Sequence, residues 1–268
     1  MQPYTKHDHV PVYRVDLQYL GDAFHGWQSQ PSGKGVQNHL ERAFASLLKH
    51  PVQVIGASRT DTGVHAEHQV AIIRTPATFA PERWLRHLHG LLPTSIGINH
   101  IAEVPRDFHP AYSSTGKAYC YRLWLGSTRS PQLAPFVWQV YTPMDVALLR
   151  REAAAFVGTH DFTSFCAGDS SSKTKQRTIV DVQIDQRGPL VEIWVIGPGF
   201  LKQMLRIMVG TLVDVATFRK APGTVATLLG ERDRRLASRT APAQGLSLVE
   251  VFYADLPALA VVRRRLHP

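Results

Sequence analysis

Residues 179–196 have the sequence IVDVQIDQRGPLVEIWVI, in which two apolar segments flank a short polar link. Valine and isoleucine dominate residues 179–184 and 190–196, and such β-branched runs predict strands. The link around residues 186–189 is long enough only for a hairpin, because a parallel crossover needs about a dozen residues. The stretch therefore favours an α+β fold, with helices packed on a mainly antiparallel sheet, over a doubly wound parallel sheet.

Patterns on both sides of this hairpin predict two similar halves. Residues 13–19 alternate between apolar and polar, which predicts a half-buried strand, and apolar residues recur at helical spacing over residues 36–47. Further strands are predicted at 52–55, 70–73, 96–104, 119–125 and 246–253, and further helices from Pro81, from an Asp145 cap to about 156, and at about 201–216. We expect residues 1–110 and 111–268 to form two α+β domains.

Composition indicates a globular, basic protein. Hydrophobic residues make up 44% of the 268 residues, which is enough for a sizeable core. Lysine and arginine outnumber aspartate and glutamate by 30 to 21, so nucleic acid is the leading class of partner, although a solvated basic surface would give the same excess. No apolar run approaches the roughly 20 residues that span a bilayer, and residues 1–9 lack a signal-peptide core, so we expect a cytoplasmic protein without a membrane segment.

The two cysteines and the histidines give no convincing metal site. Cys120 and Cys166 lack a paired metal-ligand spacing, and we expect reduced thiols in or near the core. His65 and His68 are three residues apart, but no third ligand follows at a suitable spacing.

Residues 56–66, GASRTDTGVHA, form a polar segment between two predicted apolar strands. Such a loop can expose functional side chains on a rigid base. Small neighbours would let a substrate approach Asp61 closely, and Arg59 could bind a phosphate or stack on a base. Taken alone, the segment would fit a capped turn with a surface ion pair equally well.

The same segment resembles the signature of the TruA family of tRNA pseudouridine synthases, which modify positions 38, 39 and 40 of tRNA. The resemblance runs in the family's order from about residue 13 to residue 253. The further matching blocks are residues 26–28 with Gln37, residues 107–109, 117–121, 161–165, 177–179, 200–210, 241–243 and 245–246. Departures from the family pattern occur at Leu20, Ser58, His89, Leu91 and Ile207, and they bear on tRNA contacts, loop geometry and target positions rather than on the reaction type.

The resemblance implies a pseudouridine synthase fold with ferredoxin- or RRM-like halves, the first carrying the aspartate loop and the second the active-site tyrosine and arginine. It assigns Asp61 as the catalytic aspartate, Tyr119 as the active-site tyrosine and Arg206 as the basic partner of the aspartate. Arg59 would help to displace the target base. The expected substrate-binding residues are Arg59, Thr60, Gly63, His65, Phe165, Met204 and Leu246.

The implied reaction breaks the bond between uracil N1 and the ribose, turns the base and joins its C5 to the same sugar carbon. A carboxylate can act as a nucleophile at C1′ or as a base at C2′ that leads through a glycal, and the sequence leaves both routes open. No atoms are gained or lost, so we expect no cofactor and no metal. A base inside an RNA stem must also be flipped out, and Arg59 could replace it in the stack.

The resemblance further implies tRNA, through its anticodon stem-loop and elbow, as the partner, and a homodimer as the assembly. Phosphate contacts could come from Lys34, Arg83, Arg86, Lys173, Lys175 and Lys202. A catalytically silent tRNA-binding or tRNA-folding protein is the alternative function, although Asp61, Tyr119 and Arg206 are all present. A hydrolase that cleaves glycosidic bonds is a third possibility, but no second carboxylate lies in a comparably distinctive motif.

Overall fold

A computed structural model describes residues 10–77, 81–254 and 256. The chain divides into two units, Met1–Ser114 and Thr115–Pro268. Each unit combines helices with antiparallel strands, which confirms the α+β fold class. The assignment of residues 1–110 and 111–268 to separate domains stays a prediction.

The first unit is built on a three-stranded antiparallel sheet with two helices. Its elements are β1 (Val12–Tyr19), α1 (Val36–Leu48), β2 (Ile55–Gly56), β3 (His65–Arg74), α2 (Pro81–Leu91) and β4 (Ile96–Val104). β1 is the central strand, between β4 and β3, and the short β2 pairs with β3. The alternation predicted for β1 is confirmed, since Tyr13, Val15, Leu17 and Tyr19 are buried and Gln18 is exposed.

Aromatic side chains join the sheet and helices of this unit. The Trp84 ring of α2 lies 4.8 Å from the ring of Tyr13 on β1 and 6.3 Å from that of Phe44 on α1, measured between centroids. All three side chains are buried. Burying one large apolar side chain contributes about 1.5–3 kcal/mol, so this cluster fixes both helices on the sheet that supports the Asp61 segment.

The strand predicted at residues 52–55 is wrong in extent, because only Ile55–Gly56 pair with β3. At Val54, the residue before β2, side chains of α1 make the backbone hydrogen bonds that a neighbouring strand would otherwise make. Gln37 Nε2 donates to the Val54 carbonyl at 2.9 Å, and Glu41 Oε1 accepts from the Val54 N–H at 3.3 Å. The backbone groups of Val54 are therefore satisfied without a neighbouring strand.

The second unit contains a four-stranded antiparallel sheet in the order β11, β5, β10, β9. Its elements are β5 (Gly116–Trp124), β6 (Trp138–Gln139), α3 (Val146–Ala154), β7 (Gly158–Asp161), β8 (Gln176–Ile179), β9 (Asp181–Arg187), β10 (Leu190–Gly197), α4 (Met204–Ala216), α5 (Thr224–Glu231) and β11 (Leu246–Phe252). β7 and β8 pair separately, and β6 pairs with β5 in the parallel direction.

The predicted hairpin is confirmed, with Leu190 opposite Arg187 and an antiparallel register between β9 and β10. Its first strand begins two residues later than predicted and extends to Arg187. Ile179 ends β8 and pairs with Gly158, and the ladder of β9 starts only at Asp181. The run of β-branched residues concealed this break, because adjacent short strands and one long strand give the same pattern.

The ends of the helices in the second unit agree only in part with the sequence prediction. The Asp145 cap of α3 is confirmed, since its carboxylate accepts from the Leu148 N–H at 2.9 Å. α4 begins at Met204 rather than near residue 201, because Gln203 adopts a left-handed conformation with φ 58°. The sequence reading missed α5, which follows Gly223.

Two further expectations concern the whole described chain. Cys120 and Cys166 are free and buried, which confirms the predicted core thiols. Among the helices of the described residues, none has both the length and the apolar character needed to cross a membrane.

Candidate active site

Asp61 opens a tight turn between β2 and β3. The Val64 N–H donates to the Asp61 carbonyl at 3.1 Å, and Gly63, the third residue of the turn, has φ 81°. A type II turn requires a positive φ at this position, which glycine adopts without strain. The predicted contact of Gly63 with substrate stays a prediction, but its conformation explains why a glycine follows Thr62.

Hydrogen bonds of Thr60 hold the segment against the rest of the first unit. Its hydroxyl and the Tyr19 hydroxyl on β1 are 2.8 Å apart, and its carbonyl accepts from the Trp27 N–H at 3.1 Å. Gly26 has φ 84°, and a Cβ there would lie 2.8 Å from the Thr60 carbonyl oxygen. Thr60 is buried, so the structure places it as an anchor of the turn.

Gln69 of β3 fixes the other end of the segment. Its Nε2 donates to the Ser58 carbonyl at 2.8 Å, and its Oε1 accepts from the Ser58 N–H at 3.2 Å. The Gln69 side chain is wholly buried. Ser58 has no positive φ, so its departure from the family's glycine introduces no strain of that kind.

Arg59 and Asp61 project from this firmly held backbone. Arg59 is exposed and makes no hydrogen bond or ion pair with another described residue. Asp61 is half-buried. A guanidinium that no described residue pairs with, two residues from a half-buried carboxylate, is suited to an anionic or stacked ligand.

His65 lies at the start of β3, where its Nδ1 accepts from the Gly21 N–H at 3.0 Å. That bond requires an unprotonated Nδ1, and the ring is buried. His68 lies 3.8 Å from Asp16 through its Nε2. Over residues 10–77, 81–254 and 256 no cluster of three histidine, cysteine or acidic side chains is arranged to hold a metal ion.

Tyr119 lies in the middle of β5 in the second unit. It faces Val195 of β10 and Leu248 of β11, and the register with β11 shifts between Leu248 and Glu250. Its ring meets the Phe200 ring edge-on, with centroids 5.2 Å apart. Irregularities of this kind are common beside active sites, where they redirect side chains.

Arg206 is half-buried within the first two turns of α4, among wholly buried neighbours. Its Nε donates to the Ala241 carbonyl at 2.8 Å, and the Ala241 N–H donates to the Arg206 carbonyl at 3.0 Å. A Cβ on Gly210 would lie 2.0 Å from the Arg239 carbonyl oxygen, so α4 packs closely on this segment. One guanidinium nitrogen is thus fixed, and the fork is oriented by the protein.

Tyr121 shares the Tyr119 face of β5, because alternate residues of a strand point to the same side. Its hydroxyl donates to the Pro242 carbonyl at 2.8 Å. Burial raises the pKa of the Tyr121 phenol well above its usual value, although the charges of Arg206 and Arg239 oppose the shift. Tyr121 therefore acts as a neutral donor that holds the segment beside Arg206.

The other three predicted substrate-binding residues are buried in the second unit. Phe165 packs edge-on against Phe156, with centroids 5.0 Å apart. Met204 accepts a long hydrogen bond from the Leu201 N–H at 3.5 Å, and Leu246 lies opposite Tyr121 in the sheet. Their contact with substrate stays a prediction.

The positions that depart from the family pattern lie in different surroundings. Leu20 and Leu91 are large apolar side chains with exposed fractions of 43% and 48%. His89 Nε2 lies 3.0 Å from the Ile98 carbonyl, whereas Ile207 is fully buried in α4. Leu20, Leu91 and His89 are exposed and can therefore change contacts with a partner, whereas Ile207 cannot.

The sequence reading assigned no role to Gln69, Tyr19 or Gly26. Each of them supports the segment through a residue that is distant in sequence. Gln69 bonds to Ser58, 11 residues away, and Tyr19 bonds to Thr60, 41 residues away. Gly26 packs against Thr60, 34 residues away. The sequence does contain one indication of the role of Gln69. Gln69 is a polar residue beside the apolar run of β3, and a buried glutamine in a strand requires hydrogen-bond partners.

Comparison with known proteins identifies relatives over most of the chain. A family model described as tRNA pseudouridine synthase matches residues 17–113 and 153–254. A protein of Myxococcus xanthus named tRNA pseudouridine synthase A is 40% identical over 249 residues, covering 92% of this chain and 94% of its own. Proteins of the same name from Acetivibrio thermocellus and Geobacillus kaustophilus are 40% and 36% identical and cover 90% and 89% of this chain and 98% and 93% of their own.

Proposed function

Because the chain belongs to the tRNA pseudouridine synthase family, we propose that it converts uridine to pseudouridine at positions 38, 39 and 40 of the tRNA anticodon stem-loop. It is an isomerase that acts on uridine in tRNA. The observation that carries the site assignment is the Asp61 turn, whose backbone is bonded on both sides while Arg59 is exposed and has no partner among the described residues. Rigid support of this kind is what precise positioning of a catalytic group requires.

Asp61 is proposed as the group that acts on the sugar. It attacks C1′ or removes the proton from C2′, and in both routes the C1′–N1 bond breaks and its electron pair goes to the uracil. The base turns and C1′ bonds to C5, while the Asp61–C1′ bond of the first route breaks or, in the second route, the proton returns to C2′ of the glycal. The C5 proton is lost and N1 gains one. Product and substrate have the same atoms, which fits an isomerase.

Tyr119 and Arg206 are proposed as the other catalytic residues. The tyrosine offers a ring that can stack on the base and a hydroxyl that can pass the C5 proton. Arg206 is proposed as the basic partner of the catalytic carboxylate, since a guanidinium favours the ionised acid and fixes its direction. The bond from Arg206 Nε to Ala241 supports this role, because it restricts the orientation of the guanidinium.

Arg59 is proposed to stabilise the flipped-out state of the target nucleotide. Removing a base from a stem costs a few kcal/mol of stacking and pairing, which a guanidinium inserted in the gap can offset. Its exposure and lack of a described protein partner support this proposal.

We further propose contacts with the tRNA elbow, a homodimer and a cytoplasmic location. The net charge of +9 supports binding to the phosphates of tRNA. The homodimer is supported only by the family resemblance of the sequence, and the cytoplasmic location by the substrate. The cationic side chains differ in availability, since Lys202 pairs with Asp169 at 2.6 Å and Lys175 donates to the Ser170 carbonyl.

The test is incubation of the protein with unmodified tRNA transcripts that carry uridine at position 38, 39 or 40, followed by chemical mapping of pseudouridine and an assay for free uracil. Pseudouridine at these positions without free uracil supports the proposal. Binding without modification would favour the silent tRNA-binding protein, and release of uracil would favour a hydrolase.

A further inference from the structure

Lys117 lies on β5, two residues before Tyr119. Alternate residues of a strand face the same side of the sheet and are about 6–7 Å apart. The lysine and the tyrosine therefore share one face. The intervening Ala118 belongs to a core cluster on the opposite face, with Cys120 and Trp194.

The Lys117 side chain is buried, with an exposed fraction of only 8%, yet it makes no hydrogen bond or ion pair with another described residue. Its neighbours across the sheet are Gly197 and Val251, and neither carries a charge. Burial lowers the pKa of the Lys117 ammonium. Because buried lysines are rare unless paired, and no described residue pairs with Lys117, we expect a ligand to be its partner.

The backbone beside Lys117 is closely packed. Gly197, directly opposite in β10, has no side chain, and the Thr178 carbonyl oxygen occupies that space, 2.7 Å from where a Cβ would lie. The register shift of β11 between Leu248 and Glu250 lies between the positions opposite Tyr119 and Ala118. β11 is thus irregular beside the two residues of β5 that share this face, the proposed catalytic Tyr119 and Lys117.

We propose that Lys117 contacts the target uracil and stabilises the negative charge that the base carries once its bond to the ribose has broken. This inference rests on the proposed function of Tyr119. The electron pair of the C1′–N1 bond goes to the uracil, where the charge spreads over N1, O2 and O4, and it returns when C5 bonds to C1′ and the C5 proton leaves. A donor directed at developing charge contributes about 10²–10³-fold to a rate in other enzymes.

A contact of Lys117 with a tRNA phosphate is the competing explanation, and the two differ in what they predict. A phosphate contact weakens binding when it is lost and reduces the salt dependence of binding by about one ion. A contact with the detached base acts only after bond cleavage, so its loss slows the chemical step and leaves tRNA affinity unchanged.

The experiment compares Lys117→Met, Lys117→Arg and the wild type in single-turnover pseudouridine formation and in tRNA binding at several salt concentrations. Lys49→Met is the matched control, because it removes the same charge at an exposed position, the C-terminal end of α1. We expect Lys117→Met to lower the rate by about 100-fold with unchanged affinity and salt dependence, and Lys117→Arg to recover part of it.

A normal rate at saturation, or weaker binding with a smaller salt dependence, would overturn the proposal. If Lys117→Met does not fold, judged by thermal unfolding, Lys117→Gln takes its place, and failure of both to fold would assign the lysine a structural role instead. An inactive wild type would count against the proposed function, whereas an active wild type matched by Lys117→Met would count only against the role of Lys117.

Discussion

Gln69 holds the backbone of Ser58 at two points, donating to its carbonyl at 2.8 Å and accepting from its N–H at 3.2 Å. Ser58 is two residues from Thr60, which is bonded to Tyr19 and Trp27. The segment that presents Arg59 and Asp61 is therefore fixed by side chains and backbone of the same unit. Loss of one anchor should affect the site before it affects the fold.

Gln69→Ala should lower the free energy of unfolding by about 1–3 kcal/mol, because it removes both hydrogen bonds of Gln69 to the Ser58 backbone, and it should reduce pseudouridine formation. Denaturant unfolding and single-turnover assays measure the two effects. Gln18→Ala, at an exposed position of β1, is the matched control. A Gln69→Ala variant as active as the wild type would show that this anchor is not needed.

Gln69→Glu tests whether donation to the Ser58 carbonyl matters. The introduced carboxyl can donate only while protonated, and burial raises the pKa of a carboxyl. We expect activity to be highest at low pH and to fall as the carboxyl ionises, relative to the wild-type pH profile. Parallel pH profiles of variant and wild type would contradict this explanation.

Arg59→Ala should reduce turnover more than tRNA affinity, by at least about tenfold, because the arginine is proposed to hold the flipped state rather than the bound tRNA. Arg187→Ala, at the end of β9, removes the same charge from another exposed position. Single-turnover rates and equilibrium binding separate the two effects, and equal losses in both would argue against the proposed role.

Tyr119→Phe and Tyr121→Phe form a matched pair on one face of β5. The first should abolish most activity, since it removes the hydroxyl proposed to pass the C5 proton. The second should lower stability by about 1 kcal/mol through loss of the bond to Pro242 and leave the rate nearly unchanged. An inactive Tyr121→Phe with an active Tyr119→Phe would reverse the assignment.

The raised pKa of Tyr121 predicts how the free energy of unfolding changes at alkaline pH. A folded-state pKa above the unfolded value makes the neutral phenol favour folding, so this contribution is complete below about pH 10 and declines as pH rises further. Tyr121→Phe should therefore flatten the alkaline loss of stability. Identical alkaline profiles would exclude this contribution.

Arg206→Ala should lower activity and stability together, the latter by about 1.5–3 kcal/mol, because the charged bond to the Ala241 carbonyl is lost. Unfolding curves and tRNA modification give the two quantities. Arg206→Lys keeps the charge but not the planar fork, and it should recover part of the stability with less of the activity. A fully active and equally stable Arg206→Ala would end the proposed role.

The sequence predicted those features that depend on local patterns. The alternation in β1 and the short link of the β9–β10 hairpin gave the antiparallel sheet, and Asp145 marked the start of α3. The strand at residues 52–55 failed because Gln37 and Glu41, distant in sequence, bond to Val54. Short-range patterns do not report such tertiary bonds.

The sequence indicated the reactive side chains of the candidate site but not the residues that hold them in place. The polar segment and its family resemblance indicated Asp61 and Arg59, whereas the anchors at Gln69 and Tyr19 form through contacts between separate strands and loops. Lys117 appeared only as part of a matching block. Its burial without a described partner depends on the sheet neighbours that the fold supplies.

The Asp61 carboxylate is proposed as the group that breaks the glycosidic bond. Single-turnover pseudouridine mapping on an unmodified tRNA transcript tests this role by comparing wild type, Asp61→Asn and the exposed control Glu82→Gln on α2. We expect the wild type and Glu82→Gln to modify the tRNA, and Asp61→Asn to bind it with unchanged affinity while forming no detectable pseudouridine. Modification by Asp61→Asn at the wild-type rate would show that this carboxylate is not needed for the reaction.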